Sequence, residues 1–271
     1  MVDDSVLRQD DHDRGLHHVE SVVVAVRRAT PSLLRVTLQL PHEHRDANWG
    51  APNVALRLEV DTDQGEASRV YTVRTFDEAA GRIDVDVVVH GHISPMMRWA
   101  AGVKVGDTLR FRGPRPHFRV PAGNGRPAAL FLDETAIPAL YALLQQWPAG
   151  QPAVGWVATD DEAAFAELPA VPGVTLHRVS PQGAQLAAQA QALADAAGHV
   201  VWGAGERDEM RTIRRLFRTE LGLAKEDVAV FGYWRRGTTS TEIDEARLAN
   251  YQRVLDQGGS ITELDDLAIG V

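Results

Sequence analysis

Through the first half of the chain, apolar side chains recur at every second position in six short stretches. Residues 19–26 (VESVVVAV) and 33–40 (LLRVTLQL) flank a brief ATPS break, which reads as a hairpin with its turn at 30–32. Residues 53–60 (NVALRLEV) alternate cleanly, with Val54, Leu56, Leu58 and Val60 on one face and Arg57 and Glu59 on the other. Residues 68–76 (SRVYTVRTF), 82–90 (RIDVDVVVH) and 107–114 (DTLRFRGP) repeat the period, the last two directing Ile83, Val85, Val87, Val89, Leu109 and Phe111 inward. Six strands separated by turn residues predict an N-terminal antiparallel six-stranded β-barrel. A short helix is expected in SPMMRWAAG, where Ser94 is placed to cap the first N–H groups and Pro95 suits the first turn.

Beyond a Pro/Gly-rich stretch at 121–127 (PAGNGRP) the period changes. Apolar runs at 128–132, 152–159, 174–179 and 199–206 each lead into a helical pattern, and a last strand is expected at 227–234. Alternation of strand and helix predicts a C-terminal α/β domain built on a parallel sheet, the nucleotide-binding type. The expected boundaries are 16–122 for the barrel and 127–271 for the second domain, which closes on a helix at 241–255. Residues 1–15 are acidic and lack an apolar core, so they read as a flexible tail and not as a signal peptide.

Charge and composition narrow the chemistry. A net charge of −9 and a pI of about 5.6 argue against nucleic acid and anionic lipid as partners. The absence of cysteine removes disulfides, thiolate nucleophiles, CxxC zinc sites and cysteine-ligated iron–sulfur clusters. No run of 18 apolar residues occurs, and a cytoplasmic protein is expected.

Five stretches carry candidate chemistry. RVYTVR (69–74) places Arg69 and Tyr71 on one face and Thr72 and Arg74 on the other. A guanidinium and an aromatic plate there suit a pyrophosphate and a planar ring, and equally a solvated barrel strand. In HGHISPMMRWA (90–100), Gly91 permits close backbone approach and the helix start attracts phosphate. His90 and His92 have no evident third ligand, and His42 and His44 share that shortage, so no metal site is expected. Asp133 and Thr135 follow the first strand of the second domain, where parallel sheets bind ligands, although helix capping explains them as well. WGAGE (202–206) ends the fourth strand of that domain, and FGYWRRG (231–237) sets two aromatics beside two arginines, a set fit to cover a ring and face an anion.

In this order RVYTVR, HGHISPMMRWA, GPR (113–115), DETAIPA (133–139), WGAGE and GYWRRG resemble the siderophore-interacting protein family of flavin-dependent ferric-siderophore reductases. The resemblance spans the chain from about Val19. It implies FAD in the barrel, NADH or NADPH at the second domain, and single-electron delivery to chelated Fe(III), with no catalytic acid or base and no metal bound by the protein. Arg69, Tyr71 and Thr72 would contact FAD, as would His90, Gly91, Ser94, Met96 and Met97. Asp133 and Thr135 would border the flavin or nicotinamide, and Trp202, Ala204, Gly205 and Glu206 the nicotinamide cofactor. Tyr233 and Trp234 would lie near the isoalloxazine, with Arg115, Arg235 and Arg236 around the ferric siderophore.

The chain departs from the family twice. Ser94 stands for a glycine and Met96–Met97 for Ala-Ser, and no lysine follows Lys225, so a basic pocket must be built from arginine. For the nicotinamide donor, Asp160, Asp161 and Glu162 favour a free ribose 2′-OH, whereas Arg178 and Ser180 suit a 2′-phosphate. A general flavin reductase and a non-catalytic siderophore binder are the rival readings.

Overall fold

The computed structural model describes residues 16–62, 65–89, 94–117 and 119–238, so the tail expected at 1–15 and the helix expected at 241–255 lie outside the described residues. Strands β1 (His17–Arg28), β2 (Leu33–Gln39), β3 (Ala55–Thr62), β4 (Gly65–Asp77), β5 (Arg82–Val88) and β6 (Thr108–Arg115) close an antiparallel barrel in the order β1-β2-β5-β4-β3-β6. The alternation that predicts these strands also fills the barrel: Val36, Leu38, Leu56, Leu58, Ile83 and Phe111 are all buried within it. Helix α1 (Pro95–Gly102) starts as its sequence demands, with the Ser94 hydroxyl accepting from Met97 N–H at 3.2 Å. It packs against β3 and β4.

The second domain runs β7 (Ala128–Asp133), α2 (Ile137–Gln145), β8 (Ala153–Ala158), α3 (Glu162–Ala166), β9 (Val174–Val179), α4 (Gln185–Ala192), β10 (Val200–Glu206), α5 (Arg207–Arg215) and β11 (Val228–Trp234). Its five strands are parallel in the order β11-β10-β7-β8-β9. β7 is buried at every position, as a central strand covered on both faces must be. The strand order reverses between β7 and β10, and the carboxyl ends at that switch point are where open α/β sheets bind ligands.

Two polar knots tie the domains together, and neither has a local sequence pattern. In β4 the register slips between Val73 and Thr75, so a bulge falls at Arg74, which still points away from the core-facing Tyr71 and Val73, as the alternation expects. Its guanidinium donates to Asp86 Oδ2 and Glu167 Oε2, at 2.8 and 2.7 Å, and lies 3.4 Å from the centre of the Tyr141 ring on α2. Arg35 grips the same two carboxylates, reaching both oxygens of Asp86 at 2.5 and 2.8 Å and Glu167 at 2.7 Å. The two arginines respond in opposite directions. Burial opposes the charge on both, but the bonds to Asp86 and Glu167 leave Arg35 raised, whereas burial, with repulsion from Arg35, leaves Arg74 lowered.

The second knot overturns part of the donor argument. Asp161 does not present its carboxylate to a ribose. Its Oδ2 accepts from Thr30 Oγ1, Ser32 N and Ser32 Oγ at 2.6–2.7 Å, while Oδ1 caps α3 through Ala164 N–H at 3.0 Å. Burial raises the Asp161 carboxyl, but the bonds from Ser32, Thr30 and Ala164 outweigh it and bring the group down to about 2. A depressed carboxyl stabilises the fold above its unfolded pKa, near 3.8, and that contribution is lost as pH falls through about 2. Acid unfolding between pH 4 and 2 is therefore expected to become shallower in Asp161→Asn, followed by tryptophan fluorescence; an unchanged acid limb would contradict it.

Candidate functional site

The carboxyl ends of β7, β10 and β11 converge at the switch point, and their side chains are bonded to one another. Asp133, ending β7, accepts from Thr135 N and Oγ1 at 2.9 and 2.5 Å through Oδ1. Its Oδ2 accepts from Trp234 Nε1 at 2.6 Å. Burial pushes the Asp133 carboxyl up, against the hydrogen bonds from Thr135, Trp234 and the Glu206 backbone that pull it down. Glu206 caps α5 by accepting from Asp208 N and Glu209 N at 2.9 and 3.0 Å, and its other oxygen takes the Arg236 N–H at 3.3 Å. The Arg235 guanidinium leans on Asp208 at 3.4 Å, while Arg236 is exposed.

β11 also docks on the barrel. The Tyr233 hydroxyl is bonded to Asn53, a buried residue held at φ 55°, and burial beside Asp133 pushes the phenol up. His117 closes the contact, its ring 5.8 Å from Phe231 and 5.9 Å from Tyr233, with Asn53 Nδ2 3.4 Å from its Nδ1. The switch point therefore opens at the junction of the two domains.

On the barrel, the register pairs Arg69 with Leu58 and Tyr71 with Leu56, so both share one face, as the alternation predicts. Thr72 lies on the other. Burial raises the Tyr71 phenol to about 12 against the pull of Arg69, which keeps it a hydrogen-bond donor at any physiological pH. Arg74 is spent on Asp86 and Glu167; Arg69, half-buried on the same strand, pairs with no carboxylate among the described residues. A guanidinium without an internal counterion, a phenol and the capped start of α1 form a donor set suited to a diphosphate joined to a planar ring. FAD fits these residues. The Ser94 hydroxyl serves the helix as acceptor and keeps its proton to donate, which answers in part for the hydroxyl absent at Met97.

The expected site residues differ in exposure. Trp202 and Ala204 are fully buried among the core residues between sheet and helices, and Met96 lies 6% exposed against the barrel core. β10 is covered on both faces, so its middle residues fill the interior and only Gly205 and Glu206 reach the open end. Met97 is half-buried beside Met96, and Arg115 is half-buried at the end of β6 opposite Ala55. His90 and Gly91 lie outside the described residues. Residues the sequence reading passes over are Asn53 and His117, which seat Tyr233. An asparagine after a proline and before an alternating strand was the one available signal for the first.

Comparison with known proteins agrees with this geometry. The sequence profile for siderophore-interacting proteins matches residues 126–237, and that for the siderophore-interacting FAD-binding domain matches residues 53–118. The ferric acinetobactin reductase of Acinetobacter baumannii is 35% identical over 270 residues, which cover 97% of this chain and 94% of the relative. The chain belongs to the siderophore-interacting protein family. A solved siderophore-interacting protein from the same genus superposes with a TM-score of 0.84 at 33% identity, over 89% of this chain and all of the other. The ferric vibriobactin reductase ViuB of Vibrio cholerae is 25% identical over 189 residues, covering 66% of this chain and 68% of its own. Of the stretches above, RVYTVR falls in the FAD-binding match, and DETAIPA, WGAGE and GYWRRG fall in the other.

Proposed function

We propose that this siderophore-interacting protein is an NAD(P)H-dependent flavoprotein that reduces the Fe(III) of a ferric siderophore to Fe(II), which the chelator holds less tightly. The observation that carries the reading is the junction itself. Tyr233 on Asn53 and Trp234 on Asp133 bind the switch point of the nucleotide-type sheet to a barrel whose Arg69 and Tyr71 suit FAD. Bound FAD supplies the conversion of a two-electron hydride into single electrons, which no cysteine-ligated cluster can do in this chain.

The protein's own part is to bind and to orient. Arg69 would hold the diphosphate, Tyr71 and the start of α1 the rest of the flavin, and the open ends of β7 and β10 the nicotinamide donor. Reduction softens and lowers the charge of the iron, so an oxygen-rich chelate loosens without a proton-transferring side chain. Among the described residues no cluster of His, Asp or Glu could hold a metal. No described helix is long and apolar enough to cross a membrane; the cytoplasm, where a nicotinamide donor is supplied, is the compartment this reading expects.

Arg236 is the exposed cation at the mouth, and Arg235 is partly neutralised by Asp208. Replacing both with alanine is expected to raise KM for an anionic ferric siderophore about tenfold while leaving FAD bound, since each lost charge-assisted contact is worth about 1.5 kcal/mol or less when solvated. An unchanged KM would remove these arginines from the substrate pocket. The reading as a whole is tested by an anaerobic visible spectrum. The purified protein should be yellow, bleach with NADH or NADPH, and recover its colour when a ferric siderophore is added. A protein that cannot be reconstituted with FAD would be a binder instead.

A further inference from the structure

At the switch point a buried carboxylate does more than a helix cap requires. Asp133 is 8% exposed, and one oxygen suffices for capping: Oδ1 takes both Thr135 N and Thr135 Oγ1. The other oxygen points across the sheet to the Trp234 indole N–H at 2.6 Å, a partner 101 residues away. β10 is notched to admit it, since a Cβ on Gly205 would stand 2.7 Å from the Asp133 carboxyl carbon and 3.2 Å from its Cβ. Neighbouring backbone contributes too, through the Glu206 N–H.

Among the described residues, Trp234 has little else to fix it beyond its strand pairing. Its ring is half-exposed at the last position of β11 and belongs to none of the three apolar clusters among the described residues. The preceding Tyr233 does pack against the core. A partly exposed indole that, among the described residues, one side-chain hydrogen bond orients is a platform for a planar aromatic ring.

We propose that Asp133 is a positioning residue, whose carboxylate fixes the Trp234 indole as one wall of the reduction site against which a planar aromatic ring of the donor or of the chelate is seated. The role rests on the reading that reduction occurs at this switch point, but the tie between the two side chains does not.

Asp133→Asn is the direct variant. Asparagine has one oxygen; if the Thr135 cap keeps it, the amide NH₂ faces the indole N–H, donor against donor. Trp234→Phe removes the bond and keeps a ring. In the wild-type protein the Trp234 Nε1–H resonance, identified by its absence from Trp234→Phe, should lie downfield and should move upfield in Asp133→Asn. Either single variant should raise KM for NAD(P)H or for the ferric chelate about tenfold, a geometric penalty of the kind that follows small misplacement, with kcat and FAD content little changed. The double variant should cost no more than the worse single one, because both remove one interaction. The KM that moves names the ring that is seated.

An unmoved indole resonance, fully additive effects, or a lower melting temperature with both KM values unchanged would each overturn the proposal. If Asp133→Asn does not fold, Gly205→Ala displaces the carboxylate without altering it and should shift the same resonance. A wild-type protein that fails to reduce any ferric chelate would defeat the functional reading, while the resonance would still decide whether Asp133 orients Trp234.

Discussion

Asp86→Ala is expected to destabilise the protein by about 3–5 kcal/mol, the cost of breaking a buried ion network by removing one partner. Asp86 is 2% exposed and binds two arginines, themselves 7% and 4% exposed. Without it Arg35 and Arg74 face each other across a shared Glu167, whose side chain is 28% exposed and screens poorly for both. A loss of this size should lower the melting temperature by roughly 10 °C in a chain of this length. Because the network joins β2, β4 and β5 to the residue after α3 and to Tyr141 on α2, the two domains should also lose cooperativity and unfold in separate steps. Denaturant unfolding followed by far-ultraviolet circular dichroism measures both. A loss below about 1 kcal/mol would mean that water or a shifted Glu167 compensates, and the network would not be what couples the domains. Replacing Arg35, Arg74 and Asp86 together by apolar residues of similar volume should recover much of the loss, since the desolvation cost disappears with the charges.

Arg69→Ala is expected to act on the same strand without that penalty. Its guanidinium has no carboxylate among the described residues, so its removal leaves no buried countercharge behind. What it removes is a charge-assisted, bidentate contact to a diphosphate, worth about 1.5–3 kcal/mol, or roughly a 10- to 150-fold weaker hold on FAD. Arg69→Lys should fall between, keeping the charge but not the fork. The ratio of visible to ultraviolet absorbance after purification reads the outcome. Undiminished flavin in Arg69→Ala would show that the arginine serves only the barrel surface. The contrast with Arg74, five residues along the same strand, is then direct: one variant loses cofactor, the other stability.

The elements themselves were legible along the chain because each rests on local physics. Period-two alternation marks the six barrel strands, and continuous apolar runs mark strands covered on both faces. Ser94 followed by Pro95 starts α1, as capping requires. The stretches that converge on the site were also legible as unusual residue types at strand ends: Asp133 after AALFL, Glu206 after WGAG, the aromatic pair that ends β11 and the arginine pair after it. The helical pattern after β9 forms α4 but stops at Ala192, where Leu193 turns into the core and Asp195 adopts φ 51°.

What each of those residues does was decided elsewhere. In β10 every position before Glu206 is apolar or small, so the pattern cannot say which residues face a ligand, and Trp202 and Ala204 went into the core. Arg74 kept its predicted face, but its partners Asp86 on β5 and Glu167 after α3 lie 12 and 93 residues along the chain, beyond what the pattern of β4 can show. Asp161 was one acid among three until the turn at Thr30 and Ser32, about 130 residues earlier in the chain, claimed it. Local preference and periodicity are properties of neighbouring residues and survive in the sequence. The partners of Arg35, Arg74, Asp133 and Asp161 are long-range, and only the closed barrel and the switch point of the sheet bring them within hydrogen-bonding distance.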